Sequence, residues 1–322
     1  MQVTTSALFK LAYGQFGIGA YSVNSLEQIR GVFQGALNAQ APLIVQVSHR
    51  ARQYAGPWVL EAAIQAMARL YPELVFALHL DHGDEETCCA CIASGYYTSV
   101  MIDASHLPLD ENIAITRRVV ERAHARGIAV EAELGRLSGK EEDVHVDDSE
   151  AFLTDPDQAA EFVTRSGCDS LAVAIGTSHG VYKLHGRQSL HLERLAAIQA
   201  RLPGFPLVLH GASSVPQAEV QRIRAAGGVI GETAQGVPEH QYIEAVRRGV
   251  TKINVDTDGR LVWMRVYREH LRDHPDNLDP RAPGGVFMAE YARLIVQRSQ
   301  NFGCAGRLAE VRAALRNMFD SG

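Results

Sequence analysis

Eight short apolar runs alternate with longer amphipathic stretches along most of this chain, and that alternation constrains its fold more than any other feature. The runs at 17–23, 42–48, 75–80, 99–103, 128–134, 170–175, 206–209 and 252–255 read as strands. Between them, stretches such as 25–38, 58–70, 110–126, 155–166 and 216–226 repeat apolar residues at helical spacing. Ser25 and Asp110 read as N-caps, Pro216 as a first-turn residue, and Gly95, Gly127, Gly167 and Gly227 as the residues that follow helix ends. Strands that alternate with helices point to a parallel sheet, and eight of them suffice to close a (β/α)8 TIM barrel. An open doubly wound sheet would usually carry a glycine-rich phosphate fingerprint after its first strand. Here Gly17-Ile18-Gly19 precedes or opens that strand instead. The expected fold is α/β: one TIM-barrel domain over residues 1–322, with the barrel at about 17–258 and a C-terminal helical extension at about 259–322.

Charge and cysteine usage narrow the function classes. A net charge of −6, with no long basic run, argues against nucleic acid or an anionic membrane surface as the main partner. No stretch approaches 18 uninterrupted apolar residues, and the N-terminus lacks a charged segment followed by an apolar one, so a soluble cytoplasmic protein is expected. The five cysteines are an odd number and suggest no disulfide framework. Cys88, Cys89 and Cys91 lie in a helical stretch with no second pair to complete a tetrahedral site, and read as helix packing.

Polar residues gather where the predicted strands end. Asn24 follows the first and Ser48 ends the second, Asp81 and His82 follow the third, and Asp103 and Ser105 close the fourth. Glu131 and Glu133 lie on the fifth, Ser178 and His179 follow the sixth, His210 and Ser213 the seventh, and Asn254, Asp256 and Thr257 fall on or after the eighth. Ionisable groups beside Val/Ile/Leu runs are costly to bury without partners or a metal. His82, His179 and His210 are each followed by glycine and are separated by 97 and 31 residues, so only a fold that gathers distant strand ends could unite them. Each alone reads as a hydrogen-bonded core or surface residue; together they suit a three-histidine metal site with an open position. The other histidines read mostly as surface residues, with His79 expected to be structural and on the opposite face of its strand from Asp81. Two long connections, 135–154 and 177–190, read as binding loops or lids.

The ordered blocks HLDHG, EAELG followed by GKEED, IGTSHGVYK, LHGASSVP and KINVDTD resemble the class II, metal-dependent fructose-bisphosphate aldolases. The resemblance runs over about residues 24–281 and is nearest the shorter tagatose- and fructose-bisphosphate type with an FGCAGR-like tail. It implies reversible cleavage of fructose 1,6-bisphosphate to dihydroxyacetone phosphate and glyceraldehyde 3-phosphate, with tagatose 1,6-bisphosphate or another phosphorylated ketose as the alternative. A metal-dependent hydrolase on the same barrel is a more distant one. The resemblance assigns His82, His179 and His210 as ligands of Zn2+ or another divalent transition metal, and Glu133 and Asp103 to an alternative metal position or to orienting ligands. It assigns Asp81 as acid/base on the aldehyde side and Glu142 as the carboxylate that moves the ketone-side proton.

For substrate it implies a phosphate cradle of Gly180, Gly211, Ser213, Asp256 and Thr257, with Lys183 adding charge, Asn254 on the sugar backbone, and a monovalent cation nearby. Asn24 and Ser48 match the far end of the substrate, and Arg281 matches an arginine that reaches across from a neighbouring subunit of a homodimer or homotetramer. Ser48-His49-Arg50-Ala51-Arg52 departs from relatives that carry a small glycine soon after this serine; its two arginines either strengthen anion binding or begin a helix facing solvent. Schiff-base chemistry is the other route to aldol cleavage. Of the four lysines, Lys252 opens the eighth strand at the end away from the expected site, which disfavours that route.

Overall fold

A computed structural model describes residues 1–135, 152–177, 189–231 and 234–320 in full, and the backbone alone of 138–141, 144–146 and 178–179. Eight parallel strands close into a barrel: β1 (Ile18–Ser22), β2 (Leu43–Ser48), β3 (Phe76–Gly83), β4 (Ser99–Ile102), β5 (Ala129–Leu134), β6 (Ser170–Val173), β7 (Leu207–Leu209) and β8 (Val250–Val255). Neighbours in the barrel are neighbours in sequence, and β8 pairs with β1 to close it. Every strand predicted from the sequence is present, with ends displaced by a few residues. Because parallel strands are covered on the outside by helices and packed against one another within, most of their residues are buried.

Local chemistry sets the helix boundaries. Ser25 caps Leu26–Ala39 and accepts from the Gln28 N–H, and Asp84 caps Glu85–Ser94 with a 2.7 Å bond from the Thr87 N–H. Gly95 and Gly167 take the left-handed conformation at helix C-caps, as expected. Asp110 is not a cap: the helix Leu109–His124 begins one residue earlier, after Pro108, and Asp110 falls in its first turn. Pro216 likewise precedes Gln217–Ala225 as its cap residue. The extension consists of Thr257–Asp273, Arg281–Asn301 and Leu308–Asp320. Its middle helix starts at Arg281, with Pro283 in the first turn, where a missing N–H breaks no bond. That helix packs along Leu26–Ala39, where Gly35 permits close approach to Ala292 and Ile295.

Two described stretches of the long connection after β5 are strands, where a loop was expected. Ser138–Glu141 pairs antiparallel with Val144–Val146 and parallel with Ser178–His179 in a small separate sheet. Thr154 fastens its base, with Oγ1 donating to the Leu134 carbonyl at 2.5 Å and accepting from the Ala174 N–H at 2.8 Å. Among the described residues, no helix is long and apolar enough to cross a membrane. All five cysteines are free thiols, and four of them are buried.

Candidate active site and metal centre

The carboxyl end of β3 is the centre of the site. Ser48 on β2 lies level with Asp81 on β3, so the two strand ends open onto the same face. The buried carboxylate of Asp81 is held from two sides: Gln46 Nε2 donates to Oδ2 at 3.0 Å, and Asn254 Nδ2 donates to Oδ1 at 3.2 Å. Lys252 Nζ stands 3.9 Å from Oδ1. Next along the strand, His82 is held at φ 47, a left-handed conformation that non-glycine residues rarely adopt outside constrained sites.

Below Asp81 the barrel interior carries a charged layer that corrects two expectations. Lys252 is fully buried inside the barrel, where Nζ pairs with Glu131 Oε1 at 2.9 Å. It serves as a counter-charge held in an ion pair, which is a stronger reason against a Schiff-base role than its place on the strand. His79 shares the interior face with Asp81, as two-residue spacing on an extended strand requires. Its Nδ1 lies 2.9 Å from Ser99 Oγ and its Nε2 3.7 Å from Glu131. Burial, then the neighbouring Lys252 charge, pushes the His79 pKa well below its ordinary value. For Glu131, burial acts to raise the pKa but is outweighed by Lys252, His79 and His210, which hold it well below the usual carboxylate range.

Two of the three predicted metal histidines meet here. The rings of His82 and His210 lie 4.8 Å apart between centroids and are tilted by 71°. His82 Nδ1–H donates to Asp103 Oδ2 at 2.8 Å, and His210 Nε2–H donates to Glu131 Oε1 at 3.0 Å. A carboxylate accepts only, so in a neutral ring each contact selects the tautomer that presents Nε2 of His82 and Nδ1 of His210 as the ligand-type nitrogens. Glu133 Oε2 is 3.4 Å from His210 Nδ1 and 4.0 Å from His82 Nδ1. Burial acts to raise the Asp103 pKa, but the His82 bond and charge and the Ser105 hydrogen bonds bring it down to about 2.

Two overlapping groups, Asp81–His82–His210 and His82–Asp103–Glu133, each bring three potential ligand atoms within 4.8 Å of one another. Nitrogen and carboxylate donors in this mixture suit a divalent transition ion. The backbone of Ser178–His179 joins the small sheet, but the His179 side chain, Glu142, Gly180 and Lys183 lie outside the described residues.

Other predicted positions divide between the barrel mouth and its periphery. Asn254 touches Asp81 directly, and Asn24 is anchored through its N–H to Gln28 Oε1 at 2.7 Å. Gly211 has φ 59, a conformation that glycine adopts without steric cost, and the buried Ser213 Oγ accepts from the Asp258 N–H at 3.4 Å. Asp256 pairs with Arg260 at 2.8 Å, and Thr257 begins the first extension helix. Arg281 is exposed and bonded to Asp279, with no contact to the barrel mouth within the described residues.

The departure after Ser48 also takes a definite form. Ser48 caps a short helix, His49–Ala55, by accepting from the Ala51 N–H at 3.2 Å. Arg52 turns into the protein rather than to solvent, pairing with Glu61 at 2.9 Å and stacking over Trp58 at 4.6 Å; Arg50 is exposed. Gln46 escaped the sequence reading, although a glutamine inside the run LIVQVS was its signal.

Comparison with known proteins agrees with this geometry. Residues 3–307 match the family described as fructose-bisphosphate aldolase class-II. The chain is 43% identical over 309 residues to a fructose-bisphosphate aldolase of Thermus caldophilus, covering 95% of this chain and 100% of that protein. It is 41% identical over 326 residues to one of Treponema pallidum, covering 95% and 97%. Among solved structures it resembles the YdjI aldolase of Escherichia coli K12, with TM-score 0.76, 28% identity and coverage of 96% and 100%. The match runs along nearly the full length of these relatives, and the chain belongs to the class-II fructose-bisphosphate aldolase family.

Proposed function

We propose that this protein is a zinc-dependent aldolase that reversibly cleaves fructose 1,6-bisphosphate into dihydroxyacetone phosphate and glyceraldehyde 3-phosphate. The observation that carries the reading is the convergence of Asp81, His82 and His210 at one barrel mouth, with their potential ligand atoms within 4.8 Å of one another. His82 and His210, with His179 from the adjoining connection, would hold the ion, and Glu133 and Asp103 would either orient those ligands or offer an alternative position. When bound, a divalent ion supplies Lewis-acid polarisation of the ketone carbonyl.

The protein's own groups then carry the protons. Asp81 takes the proton of the aldehyde-side hydroxyl as the carbon–carbon bond breaks, and returns it in the synthetic direction. The Gln46 and Asn254 amides fix its carboxylate in one orientation, so no rearrangement is needed at the moment of transfer. Glu142 supplies the proton to the ketone-side carbon after cleavage. Gly180, Gly211, Ser213, Asp256 and Thr257 receive the ketone-side phosphate, with Lys183 adding charge, Asn254 placing the sugar backbone, and a monovalent cation completing the cradle. Asn24 and Ser48 face the other end of the substrate. The exposed Arg281 serves a second copy of the chain in a homodimer or homotetramer, in the cytoplasm.

Steady-state turnover of a panel of ketose bisphosphates tests this reading. The expected result is preferred cleavage of fructose 1,6-bisphosphate; higher kcat/KM with tagatose 1,6-bisphosphate would reassign the substrate, and hydrolysis without carbon–carbon cleavage would reject the aldolase reading.

A further inference from the structure

The C-terminal extension carries an arginine that the barrel chemistry does not use. Arg298, on the helix Arg281–Asn301, has no exposed side-chain surface. Its Nε donates to Asp258 Oδ2 at 3.0 Å, its Nη1 to Glu239 Oε1 at 2.5 Å and its Nη2 to Ser214 Oγ at 2.6 Å. Asp258 in turn accepts from the N–H groups of Ser214 and Val215, at 3.1 and 2.9 Å. Burying a guanidinium is costly unless its donors are paired, and these partners converge on Ser214 and Val215, at the end of the loop 211–215.

That stretch is held from its other sides as well. Tyr242 OH donates to the Ala212 carbonyl at 2.6 Å, and the Val237 N–H donates to the Ser213 carbonyl at 3.1 Å. At Gly236 a Cβ would stand 2.0 Å from the Ser213 carbonyl oxygen, so any side chain there displaces the loop. Val215 is held at φ 50, a conformation a β-branched residue keeps only under external restraint.

We infer that Arg298 is a positioning residue for phosphate binding: through Asp258 and Ser214 it fixes the shape of the 211–215 loop, so the extension shapes the anion cradle without touching substrate. This inference rests on the reading of Gly211 and Ser213 as part of that cradle. A merely structural arginine would change stability and leave ligand affinity alone, whereas a positioning arginine changes phosphate affinity in protein that remains folded and metal-loaded.

The test compares wild type with Ser214→Ala and Arg298→Lys, measuring kcat, KM for the bisphosphate, competitive inhibition by inorganic phosphate, and bound metal. Ser214→Ala removes one contact to the guanidinium, and Arg298→Lys keeps the charge but loses the planar fork. In Ser214→Ala, KM and the phosphate inhibition constant should both rise about tenfold, as expected for loss of a hydrogen bond to a charged group. Its kcat and metal content should stay close to wild type, and Arg298→Lys should shift the same two constants in the same direction. If Arg298→Lys fails to fold, Ser214→Ala decides alone. Wild-type values of both constants in folded, metal-loaded variants would overturn the inference while leaving the aldolase reading intact. A wild-type protein that cleaves no phosphorylated ketose and is not inhibited by phosphate would instead overturn the reading beneath it.

Discussion

Asp81 concentrates the chemistry into one carboxylate whose surroundings are almost wholly polar: two amides and a lysine ammonium beside it, and a metal-type histidine next in sequence. Asp81→Asn keeps the shape and removes the proton acceptor. It should retain bound metal and lower kcat by about 10²- to 10⁴-fold, the usual contribution of a positioned acid or base; steady-state assay with metal analysis checks both. The layer beneath makes a separate prediction about acid stability. His79, Glu131 and Asp103 all titrate lower in the fold than their ordinary values of 6.5, 4.5 and 3.8. The unfolded chain therefore binds more protons, and the stabilisation from these groups is complete above those ordinary values and lost as pH falls through the folded ones. Metal-free protein should lose stability from pH 6.5 downward and more steeply below 4.5, with the Asp103 share gone near its folded value of about 2. Urea unfolding at a series of pH values tests this. His79→Gln should flatten the upper part of the decline, and an unchanged slope would show that His79 does not control it.

Among the elements, the barrel strands were the most legible, because an apolar run bounded by turns carries its own signal. The ends of β3 and β8 were less so. Periodicity shows that successive residues face opposite sides and residues two apart share one, but it does not say which side is the barrel interior. His79 was assigned to the face opposite Asp81 although its two-residue spacing already puts both on one face, and Lys252 appeared to open β8 because the strand begins earlier, at Val250. The small sheet was invisible for another reason: its strands are only two to four residues long, Ser138–Glu141 is polar and charged, and its third strand, Ser178–His179, comes from a distant connection. Thr154 fastens the base of that arrangement to β5 and to the residue following β6. Thr154→Val keeps the shape but strands a buried carbonyl and a buried N–H, and should cost about 1–3 kcal/mol. Chemical denaturation measures that loss, and a stability equal to wild type would show that the loop bases do not depend on the clip.

Across the whole molecule, residues distant in sequence become one site because closure of the barrel brings their strand ends together. Asp81 and Asn254 are 173 positions apart, yet hydrogen-bonded at 3.2 Å. The five sequence blocks marked the barrel mouth and the family, since each places a polar residue or glycine after an apolar run. The supporting contacts were not legible in that way. Gln46, Lys252, Asp258 and Arg298 act through partners on other elements, and their role depends on three-dimensional register rather than on a local motif. The most direct test of the account removes the metal from purified protein with a chelator and follows fructose 1,6-bisphosphate cleavage before and after zinc is restored. The account predicts loss of triose phosphate formation on chelation and its recovery on zinc addition, with the fold retained throughout. Undiminished cleavage by verified metal-free protein would contradict it.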